Sequence, residues 1–102
     1  MIHVIATLEF EPGKLAEVLA EFKKIVPLVL AEKGCIEYRP AVDAETSMAL
    51  QHRIGPDRLM FIERWDSLEA LAAHDVAPHM QAYRAKVKQY IRGREIRVLA
   101  PA

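Results

Sequence analysis

Two histidines five residues apart, His74 and His79, follow the only tryptophan of the chain in "ERWDSLEALAAHDVAPHM", residues 63–80. A histidine changes charge near neutral pH, so either one can take and return a proton at a reacting hydroxyl. They fail as a metal pair. A helix presents ligands three or four residues apart on one face, and Pro78 divides these two between different helices. Each instead flanks an apolar position, His74 one turn after Leu71 and His79 beside Tyr83. Each is therefore the rim of a cavity or an ordinary boundary residue. His52 is a third candidate base, on the stretch "SMALQHRI", where alternation gives it the same face as Met48, Leu50 and Ile54.

Residues suited to holding a flat ligand surround these bases. Trp65 offers an apolar wall, and Tyr38, Phe61, Tyr83 and Met48 complete the candidate ring-binding set. Tyr38 shares a strand face with Ile36, so its hydroxyl either donates to a ligand oxygen or reaches solvent. Glu63 looks the same way as Trp65. An unpaired carboxylate there is costly, which leads us to expect an ion pair with Arg39, Arg53 or another strand cation. Cys35 follows Gly34 with no base motif beside it and reads as a small packed residue rather than a nucleophile. Arg84, Lys86, Lys88, Arg92, Arg94 and Arg97 form a solvated basic face, from which one residue can steer an anionic substrate.

Several elements must position these side chains. "MIHVIATLEF" alternates Ile2, Val4, Ala6, Leu8 and Phe10 against His3, Ile5, Thr7 and Glu9, a strand with both faces partly apolar. After "EPGK", apolar residues from Leu15 to Leu30 recur at three- and four-residue steps, the stripe of an amphipathic helix that Pro27 should kink. Gly34 suits a left-handed position past that helix, and "CIEYRPAVD" reads as a strand that Pro40 bends or leaves at an edge. "SMALQHRI" reads as a further extended stretch before the turn "GPD", and "RLMFIERW" as the next strand. Asp66 and Glu69 resemble a helix-starting box for a helix over about 67–75, and Pro78 starts another that Gly93 can stop. "REIRVLA" closes the chain as a strand. This order is the split βαβ pattern of an α+β, ferredoxin-like sandwich with helices on one face of an antiparallel sheet. The other face stays uncovered, and a two-fold homodimer is the simplest way to close it.

Composition narrows the classes. At 102 residues the chain reads as one domain spanning 1–102, with too little length for a cofactor domain plus a substrate domain. A formal net charge of zero and dispersed Arg and Lys argue against nucleic acid. One cysteine excludes an internal disulfide and a multi-thiolate zinc site, and no signal peptide or membrane-length apolar run is apparent, so the expected location is the cytoplasm with no membrane insertion.

From "IHVIATLEFEPGK" through "IVPLVLAEKGCIEYRPAVD" and "ERWDSLEALAAHDVAPHMQAYRAKVK" to "IRVL", the sequence resembles the antibiotic biosynthesis monooxygenase family, and within it the small bacterial quinol monooxygenases. The resemblance rests on "GCIEY", "ERW" and "H-x4-HM" at these spacings. It implies a dimeric αβ barrel with a cavity near the sheet, and oxidation of a quinol or similar electron-rich phenol by dioxygen with no metal, flavin or haem. A histidine would begin such turnover by removing a phenolic proton, since the anion reduces dioxygen faster. The partners implied are a small aromatic substrate, dioxygen and a second subunit. Two departures stand out. The haem-degrading branch depends on an asparagine with a Trp and a His, and this chain contains no asparagine. The asparagine that precedes the Trp in polyketide quinol oxygenases is replaced by Phe61. An isomerase of a small dicarbonyl, phosphorylated or not, and a non-catalytic dimeric ligand-binding module are the other functions compatible with the same residues.

Overall fold

The structure, a computed structural model, describes all residues 1–102. Strand β1 (Ile2–Phe10) leads to helix α1 (Leu15–Leu30), then β2 (Cys35–Ala41), β3 (Arg58–Trp65), α2 (Leu68–Asp75), α3 (Pro78–Val87) and, after a short 3-10 turn at Lys88–Tyr90, β4 (Ile91–Leu99). The four strands form one antiparallel sheet in the order β2-β3-β1-β4. This is the expected ferredoxin-like pattern. Pro40 does lie in an edge strand, where its missing N–H leaves no ladder bond unmade toward the sheet interior.

Alternation decides which side chains meet the helices. Val4, Ala6 and Phe10 of β1, Leu59, Phe61, Glu63 and Trp65 of β3, and Tyr38 of β2 are buried on the helix-covered face. Helix α1 contributes Val18, Phe22, Ile25 and Val29, spaced four, three and four residues apart, so they form one stripe. Phe22 is the hub. Its ring lies 4.2 Å from Phe61 and 4.3 Å from Tyr83, joining α1, β3 and α3. Each such side chain withdrawn from water contributes roughly 1.5–3 kcal/mol. On the opposite face, Ile62 and Leu99 are exposed among Arg58, Arg64 and Arg97.

α1 runs through Pro27 with no broken turn, and its end is bonded by Ala31 N–H to the Pro27 carbonyl. Three local expectations are corrected. Residues 42–57 form no strand; "SMALQHRI" lies in a loop closed by its own hydrogen bonds, including Ile54 and Gly55 N–H to Asp43 at 2.9 Å each. The cap of α2 is Ser67, whose hydroxyl accepts from Ala70 N–H at 3.1 Å, because the backbone is still extended at Ser67 and becomes helical at Leu68; Asp66 N–H bonds the Gly34 carbonyl at 2.9 Å. Gly93 sits inside β4, opposite Glu9, because α3 has already ended at Val87.

The Gly34–Asp66 contact matters for the site. Gly34 has φ +85°, and a Cβ there would meet Asp66 Oδ1 at 2.5 Å and Ala70 Cβ at 2.6 Å. Only glycine lets the turn after α1 lie this close to the start of α2. No helix is long and apolar enough to cross a membrane.

Candidate active site

The turn that Gly34 permits carries Glu32, fixed by its own N–H to the Val29 carbonyl at 2.9 Å and by Cys35 N–H to its carbonyl at 3.2 Å. One oxygen of its carboxylate, Oε2, lies 2.9 Å from His74 Nδ1 on α2 and 2.8 Å from His79 Nε2 on α3. An ionised carboxylate only accepts, so each of these ring nitrogens carries the proton and donates. His74 Nε2 makes no hydrogen bond within the protein. The arrangement is largely withdrawn from water: the His74 side chain is 7% exposed and that of Glu32 14%. Pro78 therefore separates the two histidines into different helices, as the sequence indicates, yet the fold brings both to one acceptor.

Trp65 is fully buried at the end of β3, its ring 4.6 Å from that of His74, while Tyr38 stands 5.7 Å from His74 on another side. The Trp65 indole N–H donates to Glu63 Oε1 at 3.0 Å. The ion pair expected for Glu63 does not form. Arg39 and Arg64 both bond Glu37, and Arg53 bonds Glu45. Register gives the reason: Arg39 stands opposite Ile62 on the uncovered face, whereas Glu63 stands opposite Tyr38 on the covered one. Burial pushes the Glu63 carboxyl above its usual value, against the opposing pull of the indole hydrogen bond and of His74.

Between this cluster and β4 lies a cavity of about 390 Å³, a size typical of small-molecule sites. Its walls are mainly apolar. Val4, Ala6 and Leu8 of β1 with Ile96 and Val98 of β4 form the floor, Leu68, Leu71 and Met80 the helical side, and Phe22, Phe61, Tyr38 and Tyr83 the aromatic part. His74 and Glu63 supply proton-transfer groups in the wall. Burial raises both tyrosine hydroxyls well above the ordinary phenol range, so both stay protonated and can donate. The Tyr83 hydroxyl is buried with no hydrogen-bond partner.

Of the residues expected from sequence, His74, Tyr38, Phe61 and Tyr83 line this cavity. Trp65 backs His74, and His79 is joined to it through Glu32. The structure does not bring His52 or Met48 to it; both are exposed in the 42–57 loop, Met48 at 71%. Glu32 was not among the expected residues, and nothing in its local sequence marks it, since its partners lie 42 and 47 residues away. Cys35 is half-buried, and burial followed by the nearby Glu32 and Glu63 charges pushes its thiol up to about 11, unsuited to nucleophilic work. No cluster of three or more His, Cys, Asp or Glu side chains is arranged to hold a metal ion.

A proton-transfer group buried beside an apolar, aromatic-walled cavity on a ferredoxin-like sheet matches one class of proteins in sequence as well as in shape. Residues 1–86 match the family described as antibiotic biosynthesis monooxygenase, and the chain belongs to that family. It is 42% identical over 103 residues to the Escherichia coli protein named "Probable quinol monooxygenase YgiN", covering 99% of this chain and 98% of that protein. Among solved structures, Rv0793 from Mycobacterium tuberculosis is 28% identical with a TM-score of 0.80, covering 99% of this chain and 94% of the other. PA3566 from Pseudomonas aeruginosa shares the fold at 23% identity and a TM-score of 0.80, covering 99% and 93%.

Proposed function

We propose that the cavity oxidises a small quinol or similar electron-rich phenol with dioxygen, as a monooxygenase whose electrons come from the substrate itself. The observation that carries this reading is the Glu32–His74 pair, which engages Nδ1 and leaves Nε2 free on a residue of the cavity wall. Whole-length likeness to a protein named as a quinol monooxygenase supports the substrate class.

The steps balance. His74 Nε2 removes a phenolic proton, and the Glu32 carboxylate stabilises the imidazolium that forms. The quinolate then adds to dioxygen through a hydrogen-bearing ring carbon beside the ionised oxygen, and His74 returns its proton to the outer oxygen, giving a hydroperoxide. Loss of the ring C–H proton sends that electron pair into a new C=O bond while the O–O bond breaks, and the departing hydroxide takes the proton as water. The quinol gives up four electrons. One oxygen atom becomes the hydroxyquinone oxygen and the other becomes water, with no metal, flavin or haem required by the balance. Tyr38, Phe61 and Tyr83 hold the ring, Trp65 braces His74, and His79 holds Glu32. His52 and Met48 take no part.

A homodimer goes with this reading: a second sheet against Ile62 and Leu99 covers the apolar residues left exposed on the open face. So does a cytoplasmic location, where a single unpaired cysteine is stable.

The test is dioxygen uptake by metal-stripped protein with menadiol, corrected for autoxidation, with product analysis under isotopically heavy dioxygen. Saturable uptake with one heavy oxygen atom in a hydroxyquinone is expected. Peroxide with an unlabelled quinone would replace the monooxygenase by an oxidase, and no uptake above autoxidation across a quinol panel would overturn the reading.

A further inference from the structure

One cationic side chain on the cavity wall is left without an ion-pair partner by the fold. It is Arg94, at β4. Of the eight arginines, Arg39, Arg53, Arg58, Arg64, Arg84, Arg92 and Arg97 each have a carboxylate within ion-pair distance, and Arg94 alone has none. Arg84, which also borders the cavity, is already held by Asp75 Oδ1 at 2.8 Å.

Sheet register gives the spacing between Arg94 and the proton-transfer end. Val4 is paired with Glu63 on one side, whereas Leu8, four residues along β1, is paired with Arg94 on the other. Four residues along the strand and two strand spacings across the sheet put the two backbone positions roughly 16 Å apart. The intervening wall is apolar: Ala6, Phe61 and Ile96. The cavity thus has Glu63 and His74 at one end, an unpaired guanidinium at the other and a greasy slot between.

We propose that this slot selects an aromatic acid: a hydroxylated ring system of about two fused rings, its hydroxyl toward His74 and its carboxylate on Arg94. The inference rests on the cavity being the substrate site and adds to the reading above a charge requirement at the end remote from the chemistry. Arg94 is a specificity-determining residue here and touches no reacting atom.

The test is equilibrium binding, followed by ligand fluorescence, of 6-hydroxy-2-naphthoate and of 2-naphthol, which lacks the carboxylate. The wild-type protein is expected to bind the acid about ten-fold more tightly than the naphthol, since a charge-assisted bidentate contact is stronger than a neutral one. Arg94→Gln removes most of that preference and leaves 2-naphthol binding unchanged, and Arg94→Lys retains part of it. Arg97→Gln, on the open face and paired with Glu95, alters neither. Equal affinity of the wild type for the two probes, binding of neither, or an equal loss in Arg97→Gln overturns the inference. The readout separates it from the proposed reaction. Acid preference in a protein that consumes no dioxygen removes the reaction and keeps the site; oxidation of neutral quinols without acid preference does the reverse.

Discussion

Glu32 and Asp43 each gather two donors, and the two carboxylates do different work. Glu32 takes ring nitrogens of His74 and His79, from two helices, at 2.9 and 2.8 Å. Asp43 takes the backbone N–H groups of Ile54 and Gly55, both at 2.9 Å, and closes its own loop. A carboxylate bonded to titratable rings inside the fold fixes which nitrogen is free for chemistry; one bonded to amides at the surface fixes only the path of the chain. The histidines follow suit. His74 is buried at the cavity and His52 is exposed on the Asp43 loop, so residue type alone does not separate a base from a bystander.

The largest effect expected from this contrast is on turnover. His74→Ala should lower kcat for quinol-dependent dioxygen uptake by about 10²–10⁴-fold, the usual contribution of a positioned general base. His52→Ala should leave it unchanged; an equal loss in the two variants would break the comparison. Next comes Glu32→Gln. The amide oxygen still accepts from one histidine, but its NH2 group faces the other, so one ring must turn away. A loss of roughly 10²-fold or less in kcat is expected, as for misplacement of a catalytic group. Asp43→Asn should cost no turnover under the same assay.

Glu63 sharpens the comparison from the side of stability. Its carboxyl is raised by burial, so the folded protein holds that proton more tightly than the unfolded chain does. The resulting contribution is fully present below the usual 4.5 and is lost as pH rises through the raised value. Above the raised value the ionised group therefore weighs against the fold. Glu63→Gln keeps an oxygen for the Trp65 indole and removes the charge, so its Tm should exceed that of the wild type at neutral pH, with the gap closing on acidification. Thermal melts from pH 4 to 8 read this directly; a gap that widens on acidification would mean that the carboxylate is stabilised by partners.

The sheet was legible in the sequence because its signal is local. Alternation in "MIHVIATLEF" and "RLMFIERW" names the buried face, and the Val18, Phe22, Ile25, Val29 stripe names the core side of α1. The site was legible only in part. His74 and its aromatic neighbours were found because they flank apolar stripes, but the acceptor that orients them sits in a polar turn with no periodicity. The cost of an unpaired buried carboxylate points to a partner for Glu63 but not to its kind: register puts Arg39 on the other face, and the indole N–H of Trp65 takes the place of a cation. The helix-start difference is smaller in kind: Asp66 and Ser67 are both good caps, and the residue at which the backbone turns helical, Leu68, decides between them.

The smallest effect concerns the Asp43 loop itself. Backbone N–H groups of Gly55 and then Ile54 hold the Asp43 carboxyl below its usual 3.8. A depressed value means that its contribution is present above that usual value and is lost as pH falls through the lower one. Because the group sits at the surface, its loss should be local rather than global. Asp43→Ala should speed hydrogen exchange of the Ile54 and Gly55 amides at neutral pH while leaving exchange in β1 and β3, and dioxygen uptake, as in the wild type. Thr46 and Gln51 bond each other and Gln51 bonds the Ala44 carbonyl at 2.8 Å, so part of the loop has a second closure that survives the substitution. If turnover instead falls with Asp43→Ala, the loop reaches the chemistry after all, and the division between a carboxylate that orients bases and one that merely closes a loop no longer holds.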